Sequence, residues 1–464
     1  MNFSHRAKGL GSLASSTVIA QVILIIAAPL LTRLYSPEEF GALSVFVSLS
    51  LVLSVLFSLR YEMAVMVPSS NNESEQLSLV SLVVSSIGAF GALVAIWVWG
   101  GDISSITGLS QSLLYFLPLS AFFIAVNKTV VMLALKSKKY GPVSVSRVFQ
   151  SIGTVVPQTA LSVFWGGGLI LGHIIGFLVS TYLLRSFFIS ALTRRFRLSN
   201  IWQLACEYKN FPLYSTWGAL LSVLGGHFPP VVYGYYFGFE FVGLYALSHR
   251  IVAAPISVLG EAVSKFFLAE SAGGGESHAL GQRIFKTHQV LLEISIPFFL
   301  GLYIFGEAFF GYVFGAEWGR AGEIVIVMIP WMLMVFTVSP LSSVYEITGM
   351  QHVGLIFNVT MFIGRMIILI WGGENWDSLK TVEVFSLYSA ILWIGMLIWI
   401  YARYVKEFHD ALKLYIRSAF SCFVIFMPSL FFRMDFLPYY YFLVVQILAV
   451  LLYGAMIIKM RIVK

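Results

Sequence analysis

Six charged residues fall inside long apolar runs: Arg60, Glu62, Lys128, Arg250, Glu293 and Arg365. A charge at the centre of a membrane helix costs about 2.5–3.5 kcal/mol on insertion scales, so each needs an interior partner, a water-filled cavity or a snorkelling route. Four of the six are basic. Arginine offers a rigid fork for phosphate oxygens and lysine a point charge, so a basic excess in an apolar bundle suits a polyanionic group. Arg60, Lys128, Arg250 and Arg365 are therefore read as lining a cationic cavity, with a role as structural pins the plainer alternative for each. Glu293 is the ion-coupling candidate, because a carboxylate deep in a bilayer can bind and release a proton as its surroundings change; pairing with a deep arginine is its structural alternative. Glu62, Glu261 and Lys265 are further cavity candidates, the last two also spaced for a local i,i+4 ion pair. His249 and His288 could join a relay, but a single histidine in a membrane helix reads first as a hydrogen-bonded core residue.

The run Arg60-Tyr61-Glu62 interrupts an apolar stretch from Ala42 to Val67. As one helix, roughly 26 residues give about 39 Å, enough to cross the hydrocarbon with some tilt. Residues two apart on a continuous helix point to different sides, so Arg60 and Glu62 are not expected to pair with each other.

The elements that must position these charges follow from composition. Of 464 residues, 58% are hydrophobic, 16% aromatic and only 11% charged, against roughly 25% charged in soluble domains. The chain is thus expected to be an all-α polytopic membrane protein of about fourteen spans. The first six fall near 11–34, 42–67, 77–99, 112–135, 143–165 and 169–192; the next six near 211–237, 241–268, 284–306, 322–348, 355–371 and 381–402; a last pair lies near 412–432 and 438–458. This divides the chain into an N-lobe (1–192), a polar cytoplasmic linker (193–210), a C-lobe (211–402) and a C-terminal helix pair (403–464). The span at 355–371 is short, and a twelve-helix count is the alternative. The net charge of +7 does not imply nucleic acid: Lys and Arg gather in the loops of one side, which places both termini in the cytoplasm. Prolines inside predicted spans, such as Pro157, Pro255, Pro297 and Pro330, supply kinks.

Shifting the sequence by about 201 residues lays Pro29 on Pro230, Tyr35 on Tyr236, Glu39-Phe40 on Glu240-Phe241 and Leu43 on Leu244. The matches sit at the junction of the first and second helix of each lobe, as an internal repeat requires. Two cysteines support neither a disulfide framework nor a thiol metal site. The glycine-rich Glu270–Glu276 lacks the Gly-Lys-Ser/Thr ending of a phosphate-binding loop, and no hydrolase or metal motif occurs, so no cofactor and no ATP-driven step is expected.

The segment Arg33-Leu-Tyr-Ser-Pro-Glu-Glu-Phe-Gly41, followed by Leu59-Arg60-Tyr61-Glu62-Met63-Ala64-Val65, resembles the N-terminal half of Wzx-type O-antigen and polysaccharide flippases. These belong to the MOP superfamily, with the MurJ lipid II flippases and the MATE drug exporters. The resemblance implies a bacterial inner-membrane protein that moves a polyprenyl-diphosphate-linked oligosaccharide by alternating access between two six-helix lobes, coupled to H+ or Na+, and in contact with polysaccharide polymerase machinery. Arg60 is the residue it carries over best, and Arg250 within Ala246-Leu-Ser-His-Arg250 follows. The alternatives are a MATE-like cation antiporter, disfavoured by a first span without a carboxylate, a lipid II flippase, and a membrane glycan polymerase or glycosyltransferase. The last is disfavoured by loops of under about 20 residues, too short for a catalytic domain.

Overall fold

The structure, a computed structural model, describes residues 3–163, 167–193, 198–271, 277–405 and 415–416. In a bilayer a long apolar segment has to satisfy its backbone internally, and among the described residues every regular element is helical. In chain order these are α1 (Phe3–Leu34), α2 (Pro37–Ser58), α3 (Tyr61–Ala64), α4 (Asn71–Thr107), α5 (Gln111–Leu114), α6 (Phe116–Lys136), α7 (Tyr140–Leu161), α8 (Gly168–Leu183), α9 (Arg185–Thr193), α10 (Leu198–Glu207), α11 (Thr216–His227) and α12 (Pro229–Ser271). Then come α13 (Ser277–Phe314), α14 (Gly319–Val338), α15 (Val344–Ile347), α16 (Gln351–Asn375) and α17 (Ser378–Ile400). Among the described residues, eight helical stretches are long and apolar enough to cross a membrane. The chain is an all-α, multi-pass membrane protein, and its helices follow the first twelve predicted spans; the final predicted pair lies outside the described residues, apart from 415–416.

Two predicted boundaries are corrected. The second span ends at Ser58 and not at Val67, because the backbone turns left-handed at Leu59 and Arg60. The stretch expected to be a short span at 355–371 is the 25-residue α16, which continues through Gly372 and Gly373. The connection at 193–210 contains the helix α10.

Packing divides the chain into two units, residues 1–247 with 369–378, and residues 248–368 with 379–464. In the first, α2 starts where Ser36 and Glu39 close a capping box: the Ser36 hydroxyl accepts from the Glu39 N–H at 3.3 Å and the Ser36 N–H donates to Glu39 Oε2 at 2.9 Å. Pro37 occupies the first turn, where its missing N–H costs nothing. α8 lies against α7 through Gly168, Gly172 and Gly176, spaced one turn apart; side chains at the last two would overlap Gln158 and Thr154.

The same unit holds a close helix crossing. A Cβ on Gly41 would overlap the Phe239 carbonyl, and one on Gly243 the Pro37 carbonyl, so the start of α2 and this part of α12 approach backbone to backbone. The positive φ of Gly238 (80°) breaks α12 beside this crossing. In the second unit α13 packs along α14, and the wide turn Tyr401–Val405 closes against α13.

Candidate functional site

Arg60 and Glu62 owe their geometry to the break after α2. Leu59 (φ 45°, ψ 31°) and Arg60 (φ 63°, ψ 12°) are both left-handed, a conformation that costs a non-glycine residue about 1–2 kcal/mol. It persists because the turn that follows is fixed from several sides. Tyr61, Ala64 and Val65 pack with Leu77 and Val80 of α4, Leu133 of α6 and Leu204 of α10. The Tyr61 hydroxyl donates to the Ala205 carbonyl at 2.8 Å, and the Lys136 ammonium donates to the Met66 carbonyl at 2.9 Å and to the Pro68 carbonyl. Outside the spans, Tyr208 donates to Glu73 at 2.8 Å, and burial together with this carboxylate pushes its phenol up to about 12.

The consequence overturns one expectation. Arg60 Nη1 and Glu62 Oε1 form an ion pair at 3.3 Å. The rule that residues two apart diverge holds for a continuous helix, and here the chain reverses its handedness between them. Glu62 is almost wholly buried, with 3% of its side chain exposed, whereas Arg60 retains 28%. Glu62 Oε2 and Arg60 Nε are buried without a hydrogen-bond partner among the described residues.

Lys128 of α6 completes this cluster. Its ammonium donates to the Ser54 hydroxyl of α2 at 3.1 Å and lies within electrostatic reach of both Glu62 and Arg60. His227, exposed at the end of α11, lies in turn within reach of Lys128. Ser50, Ser54 and Ser58 line one buried face of α2 at four-residue spacing. That spacing was a usable sequence signal, since three hydroxyls on one stripe of an apolar helix mark a polar face. Neither Ser54 nor His227 was singled out from the sequence.

Arg365, in the second unit, is held differently. Its guanidinium carbon stands 4.6 Å from the Trp331 ring centroid and 4.7 Å from that of Phe385, and its Nε donates to the Ser389 hydroxyl at 2.9 Å. His249 stacks obliquely on the other part of this group, 5.8 Å from Trp331 between centroids, and places the neighbouring, partly buried Arg250 on the same unit. The aromatic partners were not visible as such in the sequence, because one tryptophan among many apolar residues carries no spacing signal. Glu293 accepts from Gln289 Nε2 at 2.8 Å, one turn earlier on α13. His288 is fully buried between the hydroxyls of Tyr401, at 2.5 Å, and Tyr415, at 3.1 Å, the core histidine that the simpler reading anticipates. Glu261 and Lys265 fall in the last turns of α12, where side chains lie outside the described residues. Among the described residues no group of three or more His, Cys, Asp or Glu side chains could hold a metal.

The structure thus places Arg60, Glu62 and Lys128 near one another in the first unit and, in the second, holds Arg365 over Trp331 and Phe385. The fold resembles that of solved membrane transporters. It is similar to the lipid II flippase MurJ in an inward closed conformation, with a TM-score of 0.75 and 16% identity over 97% of this chain and 99% of that one. An inward-facing multidrug resistance MATE family transporter of the MOP superfamily matches with a TM-score of 0.56 and 12% identity, over 87% of this chain and 95% of its own. A family model described as polysaccharide biosynthesis protein matches residues 30–323, and the chain belongs to this family. The teichuronic acid biosynthesis protein TuaB of Bacillus subtilis is 21% identical over 206 residues, 43% of this chain and 41% of the relative's length.

Proposed function

We propose that this protein is a flippase that carries a polyprenyl-diphosphate-linked oligosaccharide, a surface-polysaccharide repeat unit, across the bacterial inner membrane by alternating access. The observation that carries the reading is the Arg60–Glu62 ion pair at a strained helix break, with Lys128 within electrostatic reach, in a chain of the polysaccharide biosynthesis family with a flippase-like fold. A diphosphate head cannot enter hydrocarbon without losing its hydration, and partly buried cations on a protein path replace part of what is lost. The isoprenoid tail stays in lipid while the head crosses. In this reading Arg60 receives the diphosphate beside Lys128, Arg250 and Arg365 are further cationic candidates for the substrate's head, and Glu293 couples transport to H+ or Na+. Both termini lie in the cytoplasm, and the polymerase machinery receives the product.

The test is transbilayer movement in proteoliposomes of a fluorescent polyprenyl-diphosphate oligosaccharide and, separately, of an organic cation dye. The glycolipid moves and the dye does not, and Arg60→Ala reduces the glycolipid rate by at least about tenfold, the loss expected for one charge-assisted contact. Movement of the dye alone assigns the protein to cation export instead. Glycolipid flipping unchanged in Arg60→Ala removes the arginine from the path.

A further inference from the structure

We infer that Glu62 is a built-in counter-ion that occupies the substrate's place on Arg60 and is displaced from it by the incoming diphosphate. This rests on the flippase reading and deepens it by assigning a regulatory role to a residue of the same site. Three features of the pair point this way. First, the contact is a single one at 3.3 Å, longer than the roughly 2.7–2.9 Å of a strong charge-assisted bond and without the second parallel bond that a guanidinium and carboxylate readily form. Second, each partner keeps unused capacity directed away from water: Arg60 Nε and Glu62 Oε2 are buried and unpartnered among the described residues. A native structure rarely wastes buried groups of this kind, and a guanidinium edge left open next to a carboxylate is an anion site already filled by the protein's own anion.

Third, the exchange leaves no stranded charge. Lys128 lies within electrostatic reach of Glu62 and is held in place by Ser54. When Arg60 turns to a phosphate, Lys128 remains as the counter-charge of the buried carboxylate, which would otherwise stand alone in the interior. Arg60 is the member of the pair that reaches solvent, Glu62 the member that does not, so an anion meets the arginine first. The strained left-handed backbone at Leu59 and Arg60 fixes the side-chain root while the fork reorients. In the unloaded protein the carboxylate keeps small cytosolic anions off Arg60; a ligand with two phosphates competes because it brings more acceptor oxygens than one carboxylate.

The experiment is equilibrium binding of radiolabelled geranylgeranyl diphosphate to the full-length protein in nanodiscs, for wild type, Arg60→Ala, Glu62→Gln, Glu62→Asp and Arg60→Ala/Glu62→Gln, each checked for a single folded species by size exclusion. Removing the competitor is expected to tighten binding about tenfold in Glu62→Gln, equivalent to one charge-assisted contact. Glu62→Asp, one methylene too short to reach Arg60, shifts in the same direction and covers the case in which the glutamine variant does not fold. Arg60→Ala weakens binding, and in that background Glu62→Gln changes nothing further. If Arg60→Ala weakens binding but both Glu62 variants leave it equal or weaker, the displacement idea is wrong and Glu62 positions Arg60, with the flippase reading intact. If no variant binds, or Arg60→Ala binds as wild type, the diphosphate site itself is misplaced and both readings fall.

Discussion

Arg60 and Arg365 are both arginines in an apolar bundle, and the protein neutralises them in opposite ways. Arg60 pairs with a buried carboxylate that also lies within electrostatic reach of Lys128; Arg365 lies over the faces of Trp331 and Phe385 and is anchored by the Ser389 hydroxyl. The aromatic quadrupole attracts a cation but carries no charge of its own, so neither Trp331 nor Phe385 becomes an unpaired charge when the arginine is taken away. Taking the cations away from Glu62 leaves a bare carboxylate in the interior. The comparison teaches that the same residue type can be an exchangeable half of a charge pair in one place and a packed, replaceable cation in another.

The largest expected effect follows from this asymmetry. Arg60→Ala/Lys128→Ala strands Glu62 and is expected to lower stability by about 3–5 kcal/mol, measured by SDS titration in mixed micelles, with most of it recovered when Glu62→Gln is added. Failure of the third substitution to rescue would show that Glu62 does not carry the cost. Arg365→Met, by contrast, replaces a cation over aromatic rings by an apolar chain that fills similar space. It should cost only about 0.5–2 kcal/mol, the range for a cation–π contact. A loss at Arg365 as large as that of the double variant would erase the contrast.

Much of this was legible in the sequence, and the reason for the remainder is specific. The apolar runs and the helices they form rest on length and composition, which the bilayer enforces. The deep charges were legible as exceptions. Their partners were not, because a partner depends on which faces meet: Ser54 on Lys128 and Trp331 under Arg365 come from other helices. The Arg60–Glu62 pair escapes a local reading of the sequence for a different reason. Helix periodicity predicts divergence two residues apart, and nothing in Leu59-Arg60 announces a left-handed turn, since neither glycine nor asparagine stands there. The local strain is imposed by tertiary packing of Tyr61, Ala64 and Val65, which a local reading does not contain.

That last point can be tested on its own, and it yields the smallest of the expected effects. In a helix interior, glycine is less stable than alanine by roughly 0.5–1 kcal/mol, because it has more backbone freedom to lose. At a position held left-handed the order reverses: a Cβ clashes with the following carbonyl and glycine does not. Leu59→Gly and Leu59→Ala both lose the leucine's packing against Tyr61 and its neighbours, so that loss cancels when the two variants are compared with each other. Leu59→Gly is therefore expected to be more stable than Leu59→Ala by about 1 kcal/mol in the same SDS titration. The opposite order would mean that α2 runs helically through Leu59, in which case Arg60 and Glu62 would diverge and the ion pair that sets this site apart from Arg365 would not form.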